Sequence, residues 1–287
     1  MIELSFNTVK REQWMKNIVS HIENADVAKD KNILLCFDGL TVQQLRPELI
    51  VSLACMIESF YRKGYKVALN RTDVGKYLFN SLRFREYWAG KKNFTVSDDN
   101  DVFNLWRITD THKETYGQAV KDYLNTHFYK EKDLSAVQNS ITEACYNVLD
   151  HAQAEGNGFS FIRYNQQSHQ LQVAVCDFGI GIAQSMRNAF PDIKTDKEAL
   201  AKSIEANVTV GSKPYNGGMG LDNIRCSCTE DEYFTIISNG AFLMSNNNNV
   251  RTANLDFYFK GTLICFGINI SDYQDKGEIE SFSFDFL

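Results

Sequence analysis

LSAVQNSITEACYNVLDHA, residues 134–152, carries an apolar stripe at helical spacing, with Leu134, Val137, Ile141, Ala144, Cys145, Val148 and Ala152 on one side. Such a stripe predicts a helix lying against a sheet, and Asp133 just before it is placed to supply the N-cap oxygen. Glu143 and Asn147 fall one turn apart on the polar side, close enough to meet one ligand, and His151 lies a further turn along. A Glu and an Asn on a polar helix face are ordinarily just solvated, so their meaning depends on what the chain places around them.

The 287 residues suffice for two domains with cores of their own, or for one large one. A chain with 44% hydrophobic and 23% charged residues reads as an ordinary globular protein. Its net charge of −6 leaves no overall basic footprint, so neither nucleic acid nor an anionic membrane is expected as the main partner. The sequence does not open on a basic start followed by an apolar run, and no stretch reaches the roughly 18 apolar residues of a membrane span. A cytoplasmic location is therefore expected. The seven cysteines are odd in number and mostly sit inside apolar runs, which reads as reduced thiols rather than a disulfide framework. Cys226 and Cys228 form a C-x-C pair without a second Cys or His cluster nearby, so zinc is not expected.

The first third of the chain alternates in type. A short apolar start, IELSF, precedes a predicted helix over residues 9–22; NILLCFD at 32–38 reads as a buried strand, 44–63 as a long helix ended by Gly64, KVALN at 66–70 as a strand, and 74–88 as a helix. That rhythm implies a small α/β layer with a right-handed crossover. An apolar run at 102–108 follows a polar, acidic stretch, and a division into 1–110 and 111–287 is expected.

Beyond it the order changes. Helices are predicted over 116–129 and 134–152, then strands at 158–164 and 171–177, then helices at 182–190 and 196–206, the second opened by a Thr195–Glu198 capping box. A glycine-rich stretch, VGSKPYNGGMGL, leads to a short helix at 221–226, and strands follow at 234–238, 241–245, 251–259 and 262–270. The four-Asn run at 246–249 reads as a hairpin loop, and Phe282, Phe284 and Phe286 alternate with polar residues as in an edge strand. The expected fold class is α+β: a C-terminal sandwich with helices on one face of a mixed sheet, preceded by a small α/β domain.

Three stretches after the organising helix carry chemistry. Asp177-Phe178-Gly179-Ile180-Gly181-Ile182 closes a strand, where a carboxylate can accept from an exocyclic amino group and glycines let backbone approach a flat base. Asn216-Gly217-Gly218-Met219-Gly220-Leu221 leads into a helix, and amides freed there suit phosphates. Lys260-Gly261-Thr262 precedes the last core strand and offers a hydroxyl. Each is weak alone, since such glycine patterns mostly make turns.

Together and in this order the four stretches resemble the GHKL superfamily of ATP-binding domains, which includes histidine kinases, gyrase-type ATPases and anti-sigma-factor serine kinases. ITEACYNVLDHA looks like its N box, DFGIGI like its first glycine box, NGGMGL like its second, and Gly261-Thr262 like its last shared position. The E-x-x-x-N-x-x-x-H spacing is most similar to the anti-sigma-factor serine kinases and their relatives. The resemblance implies a sandwich of the GHKL type binding ATP and Mg²⁺. It implies Glu143 as the base that orients or deprotonates the attacking group, Asn147 as the magnesium ligand, and Asp177 as the partner of the adenine amino group. Gly179, Gly181 and Ile182 would line the base, Thr262 would support that end, and Gly218, Gly220 and Leu221 would close over the phosphates. His151 matches the family position, and a neutral histidine packed at a helix edge is the equal alternative. Lys213 could reach a terminal phosphate, against the plainer reading of a solvated loop lysine.

The chain's five histidines include His112 in DTHKETYG, which lacks the surroundings of a phosphoacceptor, and no transducer-sized segment follows the ATP region. Histidine kinases and the gyrase branch are therefore disfavoured. The N-terminal part loosely resembles a STAS domain, the fold of anti-sigma-factor antagonists, but lacks Asp-Ser-Ser-Gly after its strand; FDGLTVQQLRPE offers only Thr41. Docking or oligomerisation, a homodimer included, stands beside phosphorylation there. The reading is an ATP-dependent regulator that transfers a phosphoryl group to a protein Ser/Thr or hydrolyses ATP, partnered by a sigma-factor or antagonist-like regulator. The alternative is a nucleotide-gated interaction module without turnover.

Overall fold

The computed structural model describes residues 1–88, 102–108, 113–148, 158–205, 208, 220–228, 234–246 and 249–275. Two sheets share one helix between them. In the first, β1 (Ile2–Ser5), β2 (Asn32–Cys36) and β3 (Lys66–Leu69) lie parallel in the order β1-β2-β3. Parallel neighbours need crossovers, and α1 (Arg11–Val27) and α2 (Pro47–Arg62) supply them. The helix expected over 74–88 is broken into α3 (Asp73–Lys76), a π-type turn at Tyr77–Ser81 and α4 (Phe84–Trp88), with Arg83 at φ 56° between the last two. Asn80 and Ser81 sit at the break, and short polar side chains that compete for backbone partners weaken a helix there.

The second sheet holds β4 (Val102–Arg107), β5 (Gly158–Asn165), β6 (Gln170–Asp177), β7 (Phe234–Asn246) and β8 (Asn249–Asn269) in the order β4-β5-β6-β8-β7. Every pairing among the described residues is antiparallel where a mixed sheet is expected; between β5 and β6 a turn at 166–169 rather than a crossover returns the chain. Four C-terminal strands are likewise expected and two long ones form. Irregularities between Ser238 and Ala241 bend β7 without ending it, and the partner strand continues through Gly261. The Phe282, Phe284 and Phe286 alternation lies outside the described residues.

Helices α5 (Lys113–His127), α6 (Ser135–Tyr146), α7 (Ile182–Ala189), α8 (Asp196–Ser203) and α9 (Gly220–Ser227) belong to this half. The apolar stripe of α6, Val137, Ile141, Ala144 and Cys145, packs with Ile162 of β5, Val173 and Val175 of β6 and Ile264 of β8. α6 begins one residue later than expected: Leu134 takes the cap position, and Asp133 instead accepts the Ser135 amide at 3.0 Å, so its carboxylate still serves the first turn. At the other end helical backbone runs on through Val148 in π geometry, and residues 149–157 lie outside the description. The Thr195–Glu198 capping box forms as read.

The opposite face of the second sheet is covered too. Strand alternation sends Phe159 and Phe161 of β5, Ala174 and Cys176 of β6 and Leu263 and Cys265 of β8 to that side, where they join the core of α1 and α2. Helix α2 therefore packs between the two sheets, and its residues are buried from Pro47 through Glu58. Carboxylates in such a position need partners. Glu48 receives Arg11 and Arg46 at 3.1 and 3.2 Å, while Glu58 receives Arg107 of β4, Arg62 and the Trp88 indole. Arg11 also donates to Thr235 of β7 at 3.0 Å, and Arg163 of β5 to the Leu45 carbonyl at 2.8 Å.

A helix that is core to both sheets makes them one cooperative unit. Phe161→Ala, which empties a fully buried site on the α2 side, is expected to cost about 3–5 kcal/mol in urea unfolding. Both sheets are expected to melt in one transition, and two separated transitions would show that α2 does not couple them.

Candidate functional site

The site is built at the end of β6. Asp177 lies on the same side of the strand as Leu171, Val173 and Val175, so the alternation that packs the core also aims this carboxylate at the helical layer. It pairs across the sheet with Gly158 on one side and Thr262 on the other. Asp177 is fully buried; Oδ1 accepts the Gly179 amide at 2.7 Å, and among the described residues no partner meets Oδ2 in hydrogen-bonding geometry, although Thr262 lies beside the carboxylate. Burial pushes its pKa up to about 8, against the Gly179 amide and Thr262, which both favour the ionised form. A buried carboxyl oxygen left without a protein partner is costly, and a native fold that keeps one calls for an ordered water, an ion or a ligand to complete it.

The loop after Asp177 is held by side chains from β7 and β8. Gly181 caps α7 with φ +85°, and a Cβ there would fall 2.5 Å from Asn239 Oδ1 and 2.6 Å from Ser238 Oγ, so only glycine lets the loop close onto β7. The first amides of α7 are then met in turn: Ile182 N–H by Thr262 Oγ1 at 3.1 Å, Ala183 N–H by Ser238 Oγ at 3.4 Å and Gln184 N–H by Asn239 Oδ1 at 3.0 Å. Asn239 returns its Nδ2 to the Ile180 carbonyl at 2.9 Å. Gly261, at φ +135°, lies so near Asp177 that a Cβ would stand 2.1 Å from its carbonyl oxygen.

Helix α6 arrives beside this strand end. A Cβ on Gly158, the cross-strand partner of Asp177, would fall 2.4 Å from Val148 Cγ1, which brings the residue after Asn147 against the pair. Asn147 is 9% exposed; its backbone amide and its Nδ2 both donate to the Glu143 carbonyl, the latter at 2.8 Å. That commits the amide nitrogen and leaves the oxygen as the atom chemically suited to a hard cation. The Glu143 carboxylate lies against the start of α9, since a Cβ on Gly220 would stand 2.4 Å from Oε2. Leu221 on the next position is buried. Of the residues singled out from the sequence, Asn147, Asp177, Gly179, Gly181, Ile182 and Thr262 thus gather around one strand end, with Glu143 and Gly220 in contact one turn up α6. His151, Lys213 and Gly218 lie outside the described residues.

Ser238 and Asn239 are part of this arrangement and were not singled out. Their signal is the interruption between the apolar runs 234–238 and 241–245, where Ser-Asn-Gly breaks the alternation. Asn239 is fully buried at φ 54° in that irregularity.

Residues 108–225 match the family model of the histidine kinase-like ATPase domain. No curated protein matches the chain. The matched span takes in α5, α6, β5, β6, α7, α8 and the start of α9, whereas Ser238, Asn239 and Thr262 stand beyond it.

The raised pKa fixes a sign for the ligand-free protein. Below about pH 4 the Asp177 carboxyl is neutral in both folded and unfolded chains, and between about 4 and 8 only the unfolded chain ionises it. Its contribution to stability is therefore complete in acid, falls as pH rises through that window, and is lost above it. In urea unfolding at a series of pH values, Asp177→Asn is expected to remove this part of the decline; parallel curves for variant and wild type would contradict it.

Proposed function

We propose, from the histidine kinase-like ATPase match and this geometry, that the protein is an ATP- and magnesium-binding regulator. The observation that carries the reading is Asp177 Oδ2. With Oδ1 taken by the Gly179 amide, Oδ2 is an acceptor when the group is ionised and a donor when it is neutral. The adenine edge offers both complements, an amino group and a ring nitrogen. Thr262 serves by capping α7 and by facing Asp177 across the strand pair.

Asn147 and the phosphates would hold the metal through oxygen, in keeping with the hard-ligand preference of magnesium. The ion would supply neutralisation of phosphate charge. Glu143 would take or orient the proton of the attacking hydroxyl or water, as a carboxylate one turn from the metal ligand can. Gly220 and Leu221 at the start of α9 would close the phosphate end, with Gly218, Lys213 and His151 as further members of the site.

The finer reading is phosphoryl transfer to a protein Ser/Thr, or hydrolysis, as in anti-sigma-factor kinases. Residues 1–110 would act as the regulatory unit, and what supports a STAS-like likeness is the strand-helix-strand order of the first sheet. A protein partner and a homodimer remain part of this proposal, as does action in the cytoplasm. Among the described residues no helix is long and apolar enough to cross a membrane.

Thermal shift and calorimetry with ATP and Mg²⁺ test binding. Asp177→Ala is expected to abolish it, and Asn147→Ala to remove the magnesium-dependent part. Glu143→Ala is expected to bind ATP as wild type does while turnover or phosphotransfer falls at least about a hundredfold. Nucleotide binding by wild type with no turnover under any partner would favour the interaction module instead, and no binding at all would end the proposal.

A further inference from the structure

A cavity of about 270 Å³ opens in the N-terminal layer. Ile57 and Tyr61 of α2 form one wall, and Phe79, Phe84 and Trp88 enclose it from the broken helix. Its size exceeds that of an engineered apolar cavity of about 150 Å³ that takes up benzene. The walls are mostly aromatic and aliphatic: the Trp88 nitrogen donates to Glu58 at 3.1 Å, and its ring lies parallel to Tyr61 at 6.1 Å. Two of the rings are partly uncovered, Tyr61 at 39% and Phe79 at 41% exposure, so the hollow is reachable from solvent.

Among the described residues that line this cavity one is charged, Arg85. Its guanidinium stands 6.0 Å from the centre of the Phe79 ring, and among the described residues no hydrogen bond or ion pair engages it. Other arginines around α2, such as Arg11, Arg62 and Arg107, are all paired with carboxylates. A fork of donors with no partner among the described residues, beside an apolar hollow, is complementary to a small molecule with an apolar body and one carboxylate.

We propose that this cavity is a binding site for a small apolar monocarboxylate, the body seated among Ile57, Phe84 and Trp88 and the carboxylate held by Arg85. The site uses none of the residues assigned to ATP, and its wall is the helix whose other sides pack on β5 and β6. It stands or falls independently of the nucleotide reading.

The test is calorimetric titration of the full chain, without nucleotide, using 2-naphthoate and its neutral counterpart 2-naphthamide. Wild type is expected to bind naphthoate about tenfold more tightly than the amide. Arg85→Gln, an exposed change that leaves the fold alone, is expected to bring the two affinities together by weakening naphthoate only. Val67→Trp, which fills the cavity, is expected to abolish both while the circular dichroism spectrum is kept. Equal affinities in wild type, an Arg85→Gln variant that still prefers the anion, or absence of heat with either compound would overturn the proposal.

Discussion

From Val173 to Asp177 strand β6 has no face toward water, and the rest of the protein is arranged around that condition. On one side Leu171, Val173 and Val175 meet the stripe of α6, and on the other Ala174 and Cys176 meet α2. The Cys55 thiol of α2 even donates to the Cys176 carbonyl at 3.2 Å, next to the residue on which the site depends. A strand end sealed on both faces leaves its last carboxylate, Asp177, away from solvent, and so with a raised pKa and one oxygen that no described residue meets. Burial that stabilises the core thus also creates the demand that the proposed nucleotide would answer.

The same condition ties the two layers together. An antiparallel sheet can leave one face in water. Here that face is taken by a helix of the N-terminal layer, with Glu48 and Glu58 buried in the contact and paired to arginines from α1, the residues before α2, and β4. Ion pairs in this setting contribute little net stability, but removing one partner leaves a buried charge, so they penalise any other seating of the layers. The N-terminal layer is consequently part of the body that positions Asp177. The cavity beside Arg85 lies on that same helix, at the end remote from Glu48.

Much of the fold and part of the site can be read along the chain. The α6 stripe, the alternation of β5 and β6, the Thr195–Glu198 box and the strand-end Asp177 are local patterns, because a helix or strand shows its buried side through its own period. Gly261 and Thr262 were legible by order alone. What period cannot carry is the identity of the covering surface. Phe159, Phe161 and Cys265 announce a second buried side without saying that α2 fills it.

Tertiary structure decided the remainder, and the reason is separation along the chain. Thr262 caps an amide eighty residues earlier, and Ser238 and Asn239 reach α7 across fifty-five, so no local pattern could assign them those roles. The break in the helix over 74–88, which shapes the aromatic cavity, likewise overrode a helical periodicity that looked continuous. By itself the sequence determined which residues want burial and which carry chemistry. Only the folded chain decided that Asp177 would be buried with one oxygen unanswered, because that depends on both sheet faces being closed at once.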